Sequence, residues 1–211
     1  MLDIAESSSD ASSNDLYIKC NVASQQEVED AVAKVISDLG QLDILVNCAG
    51  VMDGMHSVGD ITNKIWDRCF AINVTGPMYL IRACVPHFLK QEGKGVIVNV
   101  CSVASVRGPA AGVAYTASKH ALLGLSRNTA WVYAKEGIRC NAVFPGGTET
   151  NIMQNSAVQM DMNGYQVLAP YHGTMPGTCQ PAELANAILF LATAPSVNGA
   201  ELAVDKGWLT A

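Results

Sequence analysis

The stretch AYTASKHALLGLSRNTA, residues 114–130, sets Tyr115 and Lys119 four residues apart at the head of an apolar run, so on a helix the two side chains share a face. A phenol alone, with an ordinary pKa of ~10, is a poor general base near neutral pH. An ammonium held a few ångströms away favours the phenolate by direct attraction. The pair is therefore suited to moving a proton on and off an oxygen, although the same spacing also arises in ordinary helices. Ser102 adds weight to the catalytic reading. It comes directly after a predicted strand upstream of Tyr115, where its hydroxyl can bond the same substrate oxygen. The four histidines, 56, 87, 120 and 172, fall at no HExxH or HxH spacing, so no metal site is expected.

These side chains need elements to hold them. LYIKCNV (16–22) reads as a short strand, and SQQE (24–27) opens a helix in which Ser24 caps and Glu27 reaches back; Val28, Ala31, Val32, Val35, Ile36 and Leu39 form its apolar face and Gly40 ends it. LDILVN (42–47) suits a strand covered on both faces. A second helix runs from about Thr62 into the 80s, with Pro77 and Pro86 expected to kink or interrupt it. Strand 95–101, helix 114–135 and strand 138–144 repeat the pattern. An irregular Met-, Gly- and Pro-rich stretch, 151–178, then precedes helix 181–193 and strand 200–204. Strands alternating with helices predict βαβ units and a largely parallel sheet in one domain, and ligands of such sheets bind outside the carboxyl ends of the strands. NCAG (47–50), Ser102 and PGGTET (145–150) stand at three such ends. Each is small or polar enough for close approach of a ligand, and each also fits a plain turn.

Composition narrows the function classes. A net charge of −6, a pI near 5.1 and scattered Lys and Arg argue against a nucleic-acid partner. Seven cysteines, an odd count without a CxxC pair, point to a reducing compartment. No uninterrupted apolar stretch is long enough for a bilayer, and the start, MLDIAESSSDASSND, is acidic and Ser-rich, unlike a secretory signal. The expectation is a soluble, cytoplasmic protein without a membrane partner.

NCAG, NVTG (73–76), Ser102, YTASK (115–119) and PGGTET, in that order and at those separations, closely resemble the short-chain dehydrogenase/reductase family, and the likeness runs from about residue 16 to the C-terminus. The resemblance implies a Rossmann-like, doubly wound α/β fold and a nicotinamide cofactor, NAD or NADP. It implies interconversion of a small secondary alcohol and a ketone, and a homodimer or homotetramer. It also implies a tetrad. Tyr115 would exchange the proton with the substrate oxygen, and Ser102 would hold that oxygen. Lys119 would favour the phenolate and bind the nicotinamide ribose, while Asn73 would keep a helix open for a relay water. Asn47, Ala49 and Gly50 would line the adenosine side, together with Asn21 and Val22 after the first predicted strand. Pro145, Gly146, Thr148 and Thr150 would meet the nicotinamide and its phosphate. Residues 151–178 would form a substrate lid. Trp66, Tyr79, Trp131 and Tyr133, at helical spacing, read as core more readily than as interface.

The likeness also breaks. The family's first strand, TGxxxGxG turn and helix have no counterpart in the 211 residues, so the fold is expected to lack its first strand–helix unit. MLDI fits the end of the family's second strand, with Asp3 in place of the acid that bonds the adenosine ribose, which leans towards NAD. Asn21 replaces a usual Asp, and Lys206 stands where the family prefers Gly. In the family's strand order, 3-2-1-4-5-6-7, the missing strand is central. Three arrangements answer that gap: a start that is incomplete, strand 16–20 moving across to pair with 42–47, or a partner chain covering the edge. The missing phosphate cradle also keeps open a non-redox relative that binds no dinucleotide.

Overall fold

The computed structural model describes residues 1–4, 16–92 and 95–210; most of the Ser-rich start lies outside the described residues. Its elements are β1 (Leu2–Asp3), β2 (Ile18–Lys19), α1 (Gln25–Leu39), β3 (Ile44–Asn47), α2 (Asn63–Phe70), α3 (Gly76–Lys90), β4 (Val96–Val100), α4 (Val113–Val132), β5 (Arg139–Pro145), α5 (Ile152–Asn155), α6 (Met162–His172), α7 (Pro181–Thr193) and β6 (Glu201–Val204). Every strand pairing is parallel. The chain thus has the Rossmann-like α/β architecture expected of it.

Local chemistry accounts for the element ends. Ser24 caps α1 through the Glu27 N–H, while the Glu27 carboxylate takes the N–H of Asn21 at 2.8 Å, three residues further back than the cap itself. Gly40 closes the helix at φ +81°, a left-handed conformation that glycine adopts freely. Thr62 caps α2. The two prolines do not break α3. Pro77 lies in its first turn, where a missing N–H costs least. Pro86 stands on the exposed face of α3, so the carbonyl it leaves unpaired, that of exposed Arg82, can turn to water. The long helix is interrupted instead by one wide π turn, Ala71–Thr75, centred on Asn73.

The sheet is divided. β3-β4-β5-β6 form one four-stranded sheet, and β1-β2 form a separate pair joined at Leu2–Ile18 and Asp3–Lys19. The strand at 18–19 therefore stays beside β1 and does not move across to β3. Its backbone is committed on that side, with Cys20 N–H on Asp3 O at 2.8 Å. One face of the large sheet packs under α1, α3 and α4: Leu45, Ile97 and Cys140 join Val28, Ala31, Leu80, Ile81, Cys84 and Phe88. The other face packs under α7 through Val98, Val143, Leu184 and Leu191. On that second face Ile44 and Val46, along the outer strand, are 41% and 39% exposed. Six of the seven cysteines are buried, and burial pushes the thiols of Cys69, Cys84 and Cys140 up to about 12, so they serve as small apolar core residues. Trp66 and Trp131 depart from their expected core positions, at 36% and 85% exposed, whereas Tyr79 and Tyr133 pack against the core. Among the described residues no helix is long and apolar enough to cross a membrane.

Lys206 occupies the turn after β6 at φ +57°, the left-handed region, with its ammonium 2.5 Å from the carboxylate of Glu183. A Cβ is strained there and glycine is not. Lys206→Gly should therefore be more stable than Lys206→Ala by about 1 kcal/mol, since both lose the ion pair and only one keeps the strain. Urea unfolding of the two variants checks the sign; an alanine variant as stable as the glycine variant contradicts it.

Candidate active site

The carboxyl ends of β3 and β4 are tied to α4 beneath them by a buried polar ladder. Asn47 and Asn99 are register partners, and the Asn47 Nδ2 donates to Asn99 Oδ1 at 2.7 Å. Asn99 Nδ2 donates to Ser126 Oγ at 2.8 Å, and Ser126 Oγ donates to the Leu122 carbonyl. The Asn47 side chain is thus turned into the fold, and its Oδ1 has no partner among the described residues. The residues after it, Cys48 and Ala49, are exposed and Gly50 is half-buried.

Asn73 holds the next residue. Its Oδ1 accepts the Val51 N–H at 2.9 Å, and its Nδ2 donates to the Val51 carbonyl at 3.0 Å and to Ser118 Oγ at 3.0 Å. Ser118 Oγ in turn donates to the Tyr115 carbonyl at 2.8 Å. The wide turn around Asn73 gives this side chain its seat, fully buried between the loop after β3 and α4. Lys119 is 3% exposed, donates to the Val100 carbonyl at 2.8 Å, and holds its Nζ 5.5 Å from the centroid of the Tyr115 ring. An atom at the missing Cβ of Gly50 would lie 3.5 Å from Asn73 Oδ1 and 3.6 Å from Lys119 Nζ, so the absent side chain leaves both groups uncovered from that direction. Ser102 comes after β4 and opens a tight turn, 103–105, which packs against α4; its Oγ accepts the Ala104 N–H at 3.1 Å.

Tyr115 is 7% exposed. Its ring lies among Met52, Met55, Ala104 and Ala111, with Ile152, Met153 and Leu168 packed over them. Those last three come from the 151–178 stretch, which is not irregular throughout: α5 and α6 fold across the site. Asp161 caps α6. Asp161 N–H bonds the Gly54 carbonyl at 2.8 Å, and Ser156 Oγ accepts the Met52 N–H at 2.7 Å. Beside them, between α6 and the start of α4, lies a cavity of about 610 Å³ lined by Met55, Ala111, Val113, Thr116, Asn163 and Leu168 among others. The region is mostly apolar.

The remaining predicted residues sit further out. Pro145, Gly146 and Thr148 are half-buried and Thr150 is exposed. Their loop is zipped to the approach to α7, where Thr148 bridges Cys179 and Cys179 N–H bonds Gly147 O at 2.7 Å, and to the end of β6, where Gly146 N–H bonds Val204 O at 3.1 Å. Asp3 is exposed at the end of β1. Asn21 spends its side chain on a local turn, accepting the Ala23 N–H at 3.1 Å, and Val22 packs where α3 begins at Gly76. Sequence reasoning missed Asp53, Ser118 and Ser156, whose roles rest on long-range bonds that no spacing announces.

Residues 2–209 match the family model described as enoyl-(acyl carrier protein) reductase. The chain is 42% identical over 205 residues to the short-chain dehydrogenase/reductase olcF of Penicillium canescens, a match spanning 92% of this chain and 79% of that protein. It is 37% identical over 194 residues to 3beta-hydroxysteroid dehydrogenase 2 of Eggerthella lenta, over 90% of this chain and 74% of that one. Among solved structures, levodione reductase aligns with a TM-score of 0.82 at 28% identity, over 93% of this chain and 78% of that one. The 3-ketoacyl-(acyl-carrier-protein) reductase from Brucella melitensis, complexed with NADH, aligns at 0.80 and 27%, over 92% and 78%.

One close approach that seats the cover over Tyr115 runs through Gly164. A Cβ on Gly164 would fall 2.0 Å from the Met55 carbonyl oxygen, a backbone atom. Gly164→Ala should force α6 off the loop after β3 at a cost of about 1–3 kcal/mol. Limited proteolysis within 151–178 should then run several-fold faster, and an unchanged cleavage rate would show that this contact does not hold the segment.

Proposed function

The chain belongs to the short-chain dehydrogenase/reductase family, and from that premise we propose that it interconverts a secondary alcohol and a ketone, with Tyr115 as the proton-transfer group. One observation carries the reading: a nearly buried ammonium, Lys119, beside the Tyr115 ring, with one of its three donors spent on Val100 O. A buried charge is expensive unless it is employed.

The residues fit the nicotinamide–ribose end of a dinucleotide. Lys119 has two further N–H donors for ribose hydroxyls, and the bare backbone of Gly50 leaves room beside them. When bound, such a cofactor supplies or accepts the hydride. The protein's own residues handle the proton. In alcohol oxidation the substrate O–H proton passes to the Tyr115 phenolate as the carbinol C–H bond gives up its hydride, and in reduction the phenol returns it. The Ser102 hydroxyl donates to the substrate oxygen, and the Lys119 ammonium steadies the charge left on Tyr115. Asn73, held by Val51, keeps the wide turn open where a relay water would stand. The apolar side chains of Met52, Met55, Ile152, Met153 and Leu168 favour a predominantly apolar substrate.

Both NAD and NADP are supported as cofactors by the neighbours: one neighbour is bound to NADH and another, ElxO, to NADP. An acid at Asp3 disfavours a 2′-phosphate, which leans towards NAD. Exposed Trp131 and Val132 at the end of α4 offer a face for a second copy, in keeping with a homodimer or homotetramer. Because general acid–base catalysis is worth about 10²–10⁴-fold, Tyr115→Phe should lower turnover of secondary alcohols by that amount while leaving NADH binding intact. Absorbance of the reduced nicotinamide and fluorescence titration with NADH and NADPH read the two quantities. Full turnover in the variant removes Tyr115 from the mechanism.

A further inference from the structure

Helix α4 begins at Val113 with Gly112 as its cap, and Gly112 has no side chain to accept the first free N–H groups. The acceptors come instead from the loop after β3. Val113 N–H donates to the His56 carbonyl at 3.0 Å, and Tyr115 N–H donates to Asp53 Oδ2 at 3.0 Å. The other carboxylate oxygen, Asp53 Oδ1, takes the Met55 N–H at 3.1 Å. Asp53 is 0% exposed. A Cβ on Gly112 would stand 2.5 Å from each carboxylate oxygen, so only glycine leaves space for this arrangement.

An ordinary cap is local, a Ser, Thr, Asn or Asp just before the helix. Here the helix start is bound by a carboxylate 62 residues away in sequence, and the bonded amide is that of Tyr115 itself. A charged acceptor at a helix N-terminus is favoured by the helix dipole and makes stronger bonds than a neutral one. The loop carrying Asp53 has other attachments. Val51 is clasped by Asn73, and Gly54 O and Met52 N–H bond the 151–178 segment. One loop therefore fixes the tyrosine's backbone, the wide turn and the cover over the site.

We propose that Asp53 is a positioning residue for Tyr115: its buried carboxylate clamps the tyrosine's backbone N–H to the loop after β3, so that the phenol is held where the substrate oxygen must lie. This rests on Tyr115 being the proton-transfer group. Misplacement by about an ångström costs a catalytic group on the order of 10²-fold, which sets the scale of the effect.

The test tracks Tyr115 directly, by amide hydrogen exchange and by NMR of tyrosine labelled with ¹³C at Cζ, the Tyr115 signal being assigned through Tyr115→Phe. In the unaltered protein the Tyr115 amide should be protected. Asp53→Asn, which sets an NH₂ against one of the two N–H donors, should reduce that protection about tenfold or more. It should also shift the Cζ signal and lower kcat about 10- to 100-fold with KM changed less than about twofold. Gly112→Ala, which displaces the carboxylate without removing it, should reproduce the Cζ shift and the kcat loss even where Asp53→Asn fails to fold. The proposal is overturned by free exchange of the Tyr115 amide in the unaltered protein. It is equally overturned if both variants lose only thermal stability while the Cζ signal and kcat of the folded protein stay put. Full turnover in Tyr115→Phe sinks the underlying reading, and with it the proposal, whatever the exchange data show.

Discussion

The amide of Asn73 closes on both polar groups of a single backbone residue, accepting from Val51 N–H and donating to Val51 O, while its second donor hydrogen reaches Ser118. A loop leaving the end of a buried strand has backbone groups that water cannot serve, and each one left unpaired costs about 1–3 kcal/mol. Asn73 meets that need with one side chain. The cost is a distorted helix, since the turn must widen to bring the amide to the loop. The course of the loop from Gly50 through Asp53 to His56, and hence the surroundings of Lys119 and the start of α4, depends on this clasp.

Elements governed by short-range pattern are legible in the sequence. Ser24, Gly40, Thr62 and Pro181 mark helix ends in the structure as they do in the sequence, because a cap is decided within four residues. The parallel pairing of β3 to β6 is legible from alternation with helices. The division of the sheet is less legible: which strand 18–19 pairs with depends on which backbone can meet it, and in the structure that is Leu2–Asp3.

The site is legible as residue types and not as contacts. Tyr115, Lys119, Asn73 and Ser102 carry their spacing openly. Asn47 does not, because a polar residue at a strand end looks the same whether it faces a ligand or, as here, bonds Asn99 across the ladder. Asp53 is invisible for a related reason: its acceptor role depends on Gly112, far along the chain, lacking a side chain. Of the two helices over Tyr115, α6 is hidden by Gly164 and Pro170, poor helix formers that tertiary contacts override, and α5 by its length of a single turn.

The gap between β2 and β3 has a thermal consequence. Among the described residues the small strand pair meets the main sheet through no shared ladder; the two are joined by the greasy seam of Val28, Ala31 and Val32 against Leu80, Ile81 and Cys84. Backbone ladders and apolar seams respond differently to temperature, because the driving force for burying apolar surface fades towards freezing. Cooling therefore loosens the joint between the strand pair and the rest of the molecule before it loosens the ladder of the four-stranded sheet, on which the helix bearing the tyrosine packs.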